Sequence, residues 1–133
     1  RVERRDELWR EPISKVLLRH PVLSDDELAA TARSVVGSLA TVTMSGPGTV
    51  ELQPCGVTKA TGLALAAEYL GLSPSVTIAF GDMPNDIPMF RWAAHGVAMA
   101  KAHPELKAVA DEITTSNEDD GIAVVLERLF ADR

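Results

Sequence analysis

The sequence has 133 residues, 46% of them hydrophobic and 24% charged, a composition typical of a soluble globular protein with one modest domain or two fragments of domains. The net charge of −6 and the pI near 5.0 argue against a nucleic-acid-binding surface, and no basic cluster reverses this. The single cysteine, Cys55, excludes an intramolecular disulfide, and the lack of both a signal peptide and a run of about 18 apolar residues makes a cytoplasmic location without membrane contact the expectation.

The chain opens with a charged stretch, residues 1–10, and with Arg1 in place of Met. Such an opening is expected of a cut end more than of a natural start. Trp9 in this stretch is expected to be a packing residue.

Residues 13–53 predict a β-α-β-β arrangement. The first strand is expected at residues 13–20, and Ser24 with Glu27 forms a capping box for a helix that runs to about Leu39. Two β-rich runs, residues 41–45 and 49–53, flank a Gly-Pro-Gly turn. The apolar side of the helix is expected to consist of Leu28, Ala32, Val35, Val36 and Leu39. No constellation of catalytic residues occurs here.

Pro54-Cys55-Gly56 is a break in the pattern and the expected domain boundary, which separates residues 1–56 from residues 57–133. Thr58 then caps a helix that is expected to end at Gly71. Lys59 lies in the first turn of this helix, where a positive charge is mildly unfavourable against the helix dipole. A specific role for Lys59 is therefore considered beside that of a solvated surface lysine.

The most informative stretch is a buried strand, residues 76–80, followed by Gly81-Asp82-Met83-Pro84-Asn85-Asp86 and a helical pattern. Polar side chains are thus concentrated between the carboxyl end of a strand and the amino end of a helix, where ligands and anions bind in α/β proteins. Carboxylates at this place would repel a bare phosphate unless a hard cation lay between them, so the pattern indicates Mg²⁺ plus phosphate. The alternative is that Asp82 or Asn85 caps the helix and Asp86 favours its dipole.

The remaining chain predicts a helix that ends near His95, a buried strand at residues 96–99, and a short helix at residues 104–110. An edge strand at residues 112–114, a polar loop at residues 116–120 and a last helix at residues 121–130 follow. His95 and His103 are expected to lie at helix ends and not to be ligands. From Thr58 onward the order α-β-α-β-α-β-α implies parallel strands with right-handed crossovers.

Four motifs carry a family resemblance: Lys59 opening a helix, residues 81–86, residues 96–102 and residues 116–122. Their order and spacing resemble the carboxyl-terminal part of a Cof-like phosphatase of the haloacid dehalogenase superfamily, over about residues 54–133. Residues 13–53 are similar to the closing part of that family's cap domain. The resemblance implies an α/β fold, in which residues 57–133 form the carboxyl-terminal half of a Rossmann-like core with a parallel sheet and residues 1–56 form a β-α-β-β remnant of an α+β cap domain.

The resemblance also implies hydrolysis of a phosphate monoester through an aspartyl-phosphate, with Mg²⁺ as cofactor. By position, the catalytic residues would be Lys59, Asp82 and Asp86. Asp82 would be a metal ligand, and Asp86 would bind the ion's water or orient Lys59. Lys59, Asn85 and Asn117 would hold the phosphate. The substrate would be a small phosphorylated metabolite, and a sugar phosphate is the family-level expectation.

One departure from the family is large. The family's nucleophile lies in an amino-terminal Asp-x-Asp-Gly-Thr motif, and the 133 residues contain no such sequence. Turnover by this chain alone is not expected. If the nucleophile strand is absent, the strand at residues 76–80 becomes a bare apolar edge, which a missing amino-terminal half or a second chain is expected to cover.

Two other classes of protein remain open on the residues alone. The first is a truncated relative that binds ligands without catalysis. The second is the phosphorylation domain of a cation-pumping ATPase, for which membrane spans close by are expected and none is found.

Overall fold

The structure, a computed structural model, describes residues 10–131, so Trp9 lies outside the described part. The chain divides into two compact units, unit 1 (Arg1–Gly56) and unit 2 (Val57–Arg133). Among residues 10–131, every helix is too short or too polar to cross a membrane.

Unit 1 is an antiparallel sheet with one helix. Its elements in chain order are β1 (Val16–Leu18), α1 (Asp25–Val36), β2 (Ala40–Gly46) and β3 (Thr49–Pro54), and the strands lie in the order β1-β3-β2. The capping box of Ser24 and Glu27 is confirmed. The first strand is shorter than expected, and α1 ends before Leu39 because Gly37 takes a positive φ of 53°.

The core of unit 1 comes from alternate residues of two strands, Val42 and Met44 on β2 and Val50 on β3. They are covered by two small residues of α1, Ala29 and Ala32. The apolar side predicted for this helix agrees with the structure for Ala32, which is buried, and for Leu28 and Val36, which are half-buried. It is wrong for Val35, which is 77% exposed, and for Leu39, which is 86% exposed. The turn of α1 that packs closely is therefore built from alanines, which let the helix approach the sheet.

Unit 2 follows the predicted alternation of helices and strands. Its elements are α2 (Lys59–Leu70), β4 (Ile78–Gly81), α3 (Ile87–Trp92), β5 (His95–Ala98), α4 (Pro104–Lys107), β6 (Glu112–Ile113) and α5 (Gly121–Phe130). The strands are parallel in the order β4-β5-β6. The α/β class and the parallel sheet are thus confirmed. Within residues 10–131, β4 has a neighbouring strand on one side only.

Two local predictions in unit 2 are wrong. Residues 74–76 form a 3₁₀ turn in which the Ser73 hydroxyl accepts a hydrogen bond from the Ser75 N–H, so β4 starts only at Ile78 and Val76 is 74% exposed. His95 does not end a helix, because α3 stops at Trp92 and His95 pairs with Ile78 as the first residue of β5.

The core of unit 2 joins β4 and β5 to α3 and α4 through Ala79, Ala98, Phe90 and Leu106. Gly96 permits this packing, since a Cβ at that position would lie 2.7 Å from the Phe90 ring. The closely packed core therefore lies beside the carboxyl ends of β4 and β5, where the polar motif begins.

Candidate active site at the carboxyl edge of the parallel sheet

A cleft of about 280 Å³ lies where β4 and β5 end. Lys59, Asp82, Asp86 and Asn117 all line it. Side chains from three of the four motifs, which are far apart in the sequence, thus meet at one place in unit 2.

Lys59 reaches the cleft from the first turn of α2. Thr58 caps this helix by accepting a hydrogen bond from the Thr61 N–H, and the Thr61 hydroxyl in turn accepts one from the Thr58 N–H. The Lys59 ammonium forms an ion pair with Oδ1 of Asp86; the lysine side chain is 48% exposed and that of Asp86 is 3% exposed. The lysine that opposes the helix dipole therefore has a buried carboxylate as its partner.

Asp86 organises the loop that follows β4. Its Oδ2 accepts hydrogen bonds from the N–H groups of Asp82 at 3.0 Å and Met83 at 3.1 Å. Gly81 leaves space for this carboxylate, because a Cβ there would lie 2.6 Å from the Asp86 Cβ. Both oxygens of Asp86 are thus engaged, one with a cation and one with the backbone.

Asp82 differs from Asp86 in its environment. It is exposed, and within residues 10–131 its carboxylate makes no hydrogen bond or ion pair. Its main-chain carbonyl accepts a hydrogen bond from the His103 N–H at 2.8 Å, which ties the loop to the residues that follow β5. The backbone is therefore held while the carboxylate points to the cleft as an available oxygen ligand.

The capping alternative is wrong for Asp82 and Asn85. The short helices after β4 have Met83 and Asp86 at their N-cap positions, and neither N-cap side chain accepts a cap hydrogen bond. Asp86 does lie in the first turn, where its carboxylate accepts a hydrogen bond from the Met83 N–H. Asp82 and Asn85 cap neither helix.

Asn85 and Asn117 occupy different positions. Asn85 is half-buried in the turn Pro84–Asp86, does not line the cleft, and has an Oδ1 that is buried without a hydrogen-bond partner in the described part of the chain. Asn117 begins the exposed 3₁₀ turn Asn117–Asp119 and lines the cleft.

A divalent cation at this edge would need oxygen ligands from the cleft residues. Among residues 10–131 no group of three or more His, Cys, Asp or Glu side chains is placed to hold a metal ion. Mg²⁺, however, is commonly bound by one or two carboxylates together with water and substrate phosphate. The exposed carboxylate of Asp82 fits this requirement.

An ion pair outside the predicted set lies on the same edge. Lys101 Nζ lies 2.9 Å from Glu118 Oε2. The hydrogen bond from Lys101 is the largest of the causes that lower the pKa of Glu118 to about 2, and the same hydrogen bond raises the pKa of Lys101. The sequence placed both residues inside recognised motifs but gave no signal that they would meet.

The sequence of this chain is similar to proteins of known family. The sequence profile of the haloacid dehalogenase-like hydrolases matches residues 1–126. Over 82 residues the chain is 42% identical to the 5-amino-6-(5-phospho-D-ribitylamino)uracil phosphatase YcsE of Bacillus subtilis, which covers 62% of this chain and 33% of the relative.

Two solved structures resemble this chain over most of its length. A haloacid dehalogenase-like hydrolase from Bacillus subtilis superposes with a TM-score of 0.82 at 28% identity, over 97% of this chain and 46% of the other. A sugar phosphatase of haloacid dehalogenase subclass IIB gives a TM-score of 0.77 at 28% identity, over 93% of this chain and 46% of the other. The chain thus spans less than half the length of each of these three proteins.

Proposed function

Because this chain belongs to the haloacid dehalogenase-like hydrolases, as the four motifs predicted, we propose that unit 2 provides the metal-binding and charge-neutralising half of a Cof-like phosphatase. The reaction is hydrolysis of a phosphate monoester through an aspartyl-phosphate. In this proposal unit 2 is the carboxyl-terminal half of the core domain and unit 1 is the closing part of the cap domain.

The observation that carries the proposal is the meeting of Lys59, Asp82 and Asp86 in one cleft at the carboxyl edge of the sheet. A lysine ammonium beside the phosphate neutralises charge that develops on the phosphoryl oxygens. Lys59 is half-exposed, so it can reach a ligand while its ion pair with Asp86 restricts where it points.

Asp86 acts in this proposal as the residue that orients Lys59 and fixes the loop. Both of its oxygens are engaged, which favours an indirect contact with a metal, through the ion's water, over direct ligation. Asp82 is the direct metal ligand. When bound, Mg²⁺ polarises the phosphoryl group and offsets its charge.

Asn117 completes the phosphate-binding set in this proposal, whereas Asn85, which does not line the cleft, makes no contact with the phosphate. Asn117 lines the cleft from the turn after β6, and its amide can donate to a phosphoryl oxygen. Asn85 has a buried Oδ1 without a partner within residues 10–131, and such an atom needs a donor to offset the cost of its burial. We assign that donor to the part of the protein that completes the cleft.

The attacking carboxylate belongs, in this proposal, to a part of the protein outside the 133 residues, which contain no Asp-x-Asp-Gly-Thr sequence. That part also covers the open side of β4. Beside β4 lies an apolar cavity of about 400 Å³, lined among others by Leu63, Leu70 and Met89. An apolar strand edge beside an apolar cavity is a surface that proteins normally cover.

The substrate is proposed to be a small phosphorylated metabolite with a hydroxyl-rich leaving group, such as a sugar phosphate. Support comes from the names of two relatives, a phosphatase of a phosphoribitylamino compound and a sugar phosphatase. A cytoplasmic location, where such metabolites are made, and the absence of a nucleic-acid partner belong to the same proposal.

The test is phosphatase activity of the full-length polypeptide that contains this chain. We expect release of phosphate from an aryl phosphate and faster release from sugar phosphates, both abolished by EDTA and restored by Mg²⁺. Saturable binding of phosphate without hydrolysis of any ester would instead establish the non-catalytic binding module.

A further inference from the structure

A loop that follows β5 forms the middle of the carboxyl edge of unit 2. On one side, the Met99 N–H donates to the Gly81 carbonyl at 3.0 Å. On the other side, the Ala100 N–H donates to the Thr115 carbonyl at 3.2 Å. The loop thus connects the segment that bears Asp82 with the segment that bears Asn117.

The Lys101–Glu118 ion pair is a second connection between the same two segments. Lys101 extends from the loop after β5, and Glu118 is the middle residue of the turn Asn117–Asp119. Their charged atoms lie 2.9 Å apart, and both side chains are largely exposed. The pair therefore links the outer side of the Asn117 turn to the loop, beyond what the backbone hydrogen bonds hold.

The turn has hydrogen bonds of its own, but they lie around Asn117 and not on its side chain. The Ser116 carbonyl accepts hydrogen bonds from the N–H groups of Asp119 and Gly121, both at 3.1 Å. The buried Ser116 hydroxyl donates to Oδ2 of Asp119 at 2.6 Å, and the Thr115 hydroxyl donates to the Asp119 carbonyl at 3.1 Å. Within residues 10–131 the side chain of Asn117 makes no hydrogen bond. Its amide is therefore directed by the backbone of the turn alone.

We infer that Lys101 and Glu118 are positioning residues, whose ion pair holds the turn so that the Asn117 amide faces the cleft. The inference rests on the proposed function, in which Asn117 binds phosphate. It concerns the placement of Asn117 and no contact of Lys101 or Glu118 with the substrate.

Opposite charges on the two residues separate positioning from a plain electrostatic effect. If each residue acted only through its charge, Lys101→Ala would weaken binding of an anion and Glu118→Ala would strengthen it. If the pair positions Asn117, both substitutions weaken binding. We expect the inhibition constant of inorganic phosphate to rise about two- to five-fold in either variant, since the contribution of an exposed ion pair is modest, with a smaller change in kcat.

The double variant Lys101→Glu/Glu118→Lys reverses the pair and should restore the inhibition constant. Arg128→Ala is the control: it removes another ion pair of unit 2, Arg128–Glu112, in which the arginine late in α5 is 59% exposed, and should leave phosphate inhibition unchanged. An inhibition constant that falls or stays constant in Glu118→Ala, or no recovery in the double variant, overturns the inference.

An NMR measurement separates failure of this inference from failure of the proposed function. The heteronuclear NOE of the Asn117 amide groups reports their motion on the picosecond to nanosecond timescale. It should fall in Lys101→Ala and in Glu118→Ala, and recover in the double variant. Unchanged values would overturn the positioning role even in an active enzyme, whereas reduced values in a protein that hydrolyses nothing would leave the role intact and reject the phosphatase proposal.

Discussion

Lys59 and Asp86 form an ion pair across 27 residues of sequence, between the first turn of α2 and the turn that follows β4. The same Asp86 carboxylate accepts hydrogen bonds from two backbone N–H groups. The direction of the lysine and the path of the loop are therefore set by one side chain, and the cleft forms only where both are in place.

Replacement of Lys59 by methionine should separate its two effects. In the full-length protein, Lys59→Met should lower kcat about a hundredfold, because the charge that neutralises the phosphoryl oxygens is lost. It should lower the free energy of unfolding by about 1–3 kcal/mol, because the buried Asp86 carboxylate loses its cation but keeps its two backbone donors. Aryl phosphate hydrolysis measures kcat, and urea unfolding measures the free energy of unfolding.

Lys15→Met is the matched control for that experiment. Lys15 forms a comparable ion pair in unit 1, with Glu51 at 2.7 Å, and the two side chains are 45% and 8% exposed. Lys15→Met should lower the free energy of unfolding by a similar amount, while kcat should stay within about twofold of wild type. Equal losses of kcat in both variants would show that Lys59 has no special role in the cleft.

Asp82→Asn should remove Mg²⁺-dependent activity without destabilising the protein. The side chain is exposed, so the substitution breaks no packing, but an amide is a much weaker ligand for a hard cation than a carboxylate. Mg²⁺ titrations of kcat/KM and thermal unfolding test the two parts. Glu68→Gln is the control: it removes one exposed negative charge from α2 and should change neither the Mg²⁺ dependence of kcat/KM nor the thermal unfolding. A wild-type Mg²⁺ response in Asp82→Asn would rule out direct ligation.

Gly121→Ala should destabilise unit 2 by about 1–3 kcal/mol, the usual cost of overpacking. A Cβ at this position would lie 2.4 Å from the Thr115 carbonyl oxygen and 2.8 Å from the Met99 methyl carbon. Gly62→Ala in α2 is the matched control, because no atom lies within 4 Å of its added Cβ. That variant should gain up to about 1 kcal/mol from helix propensity. In urea unfolding, the free energy of unfolding should therefore fall in Gly121→Ala and rise in Gly62→Ala.

The pKa of Glu118 should be about 2, and it should rise towards 4.5 in Lys101→Ala. Because the folded-state pKa is lowered, the contribution of the pair to stability is present above pH 4.5 and is lost as the pH falls towards 2. Because the pKa of Lys101 is raised, that contribution is lost again only above pH 10.5. The pKa of Glu118 can be measured by carboxyl-carbon NMR between pH 4.5 and 2. Identical titration curves for wild type and Lys101→Ala would contradict the ion pair.

The 133-residue chain alone should self-associate through the open side of β4. Leu70 is 64% exposed and lines the apolar cavity there, whereas Leu65 on the same helix is 69% exposed and does not line it. Leu70→Glu should therefore reduce association in sedimentation, and Leu65→Glu should not. A monomer whose β4 amides exchange freely would show that this edge tolerates exposure.

Much of the fold could be predicted from the sequence because the signals are local. The capping residues Ser24 and Thr58 fix where α1 and α2 begin, and Gly71 in the left-handed region ends α2. The four motifs likewise predicted the family. These features depend on a few neighbouring residues, so no tertiary contact is needed to recognise them.

One error comes from a missed local signal, and the others arose where tertiary contacts decide. Val76 has the composition of a strand residue, but Ser73 and Pro74 hold it in a 3₁₀ turn. His95 follows a helical pattern, yet the Thr77 hydroxyl accepts a hydrogen bond from the Ala94 N–H, just before His95 pairs with β4. The Lys101–Glu118 pair depends on two loops whose paths a sequence pattern does not give.

Gly81 and Asp86 restrict each other, because the carboxylate turns back over the very place that a Cβ at position 81 would occupy. The two positions therefore have a joint, not an independent, set of tolerated amino acids. In a library randomised at both positions and selected for folding, the residues found at positions 81 and 86 should be correlated. Residues larger than glycine should survive at position 81 only where the residue at position 86 is smaller than aspartate. Engineers who wish to place a side chain at position 81 must also reduce the residue at position 86, since a Cβ at position 81 would clash with the Asp86 side chain.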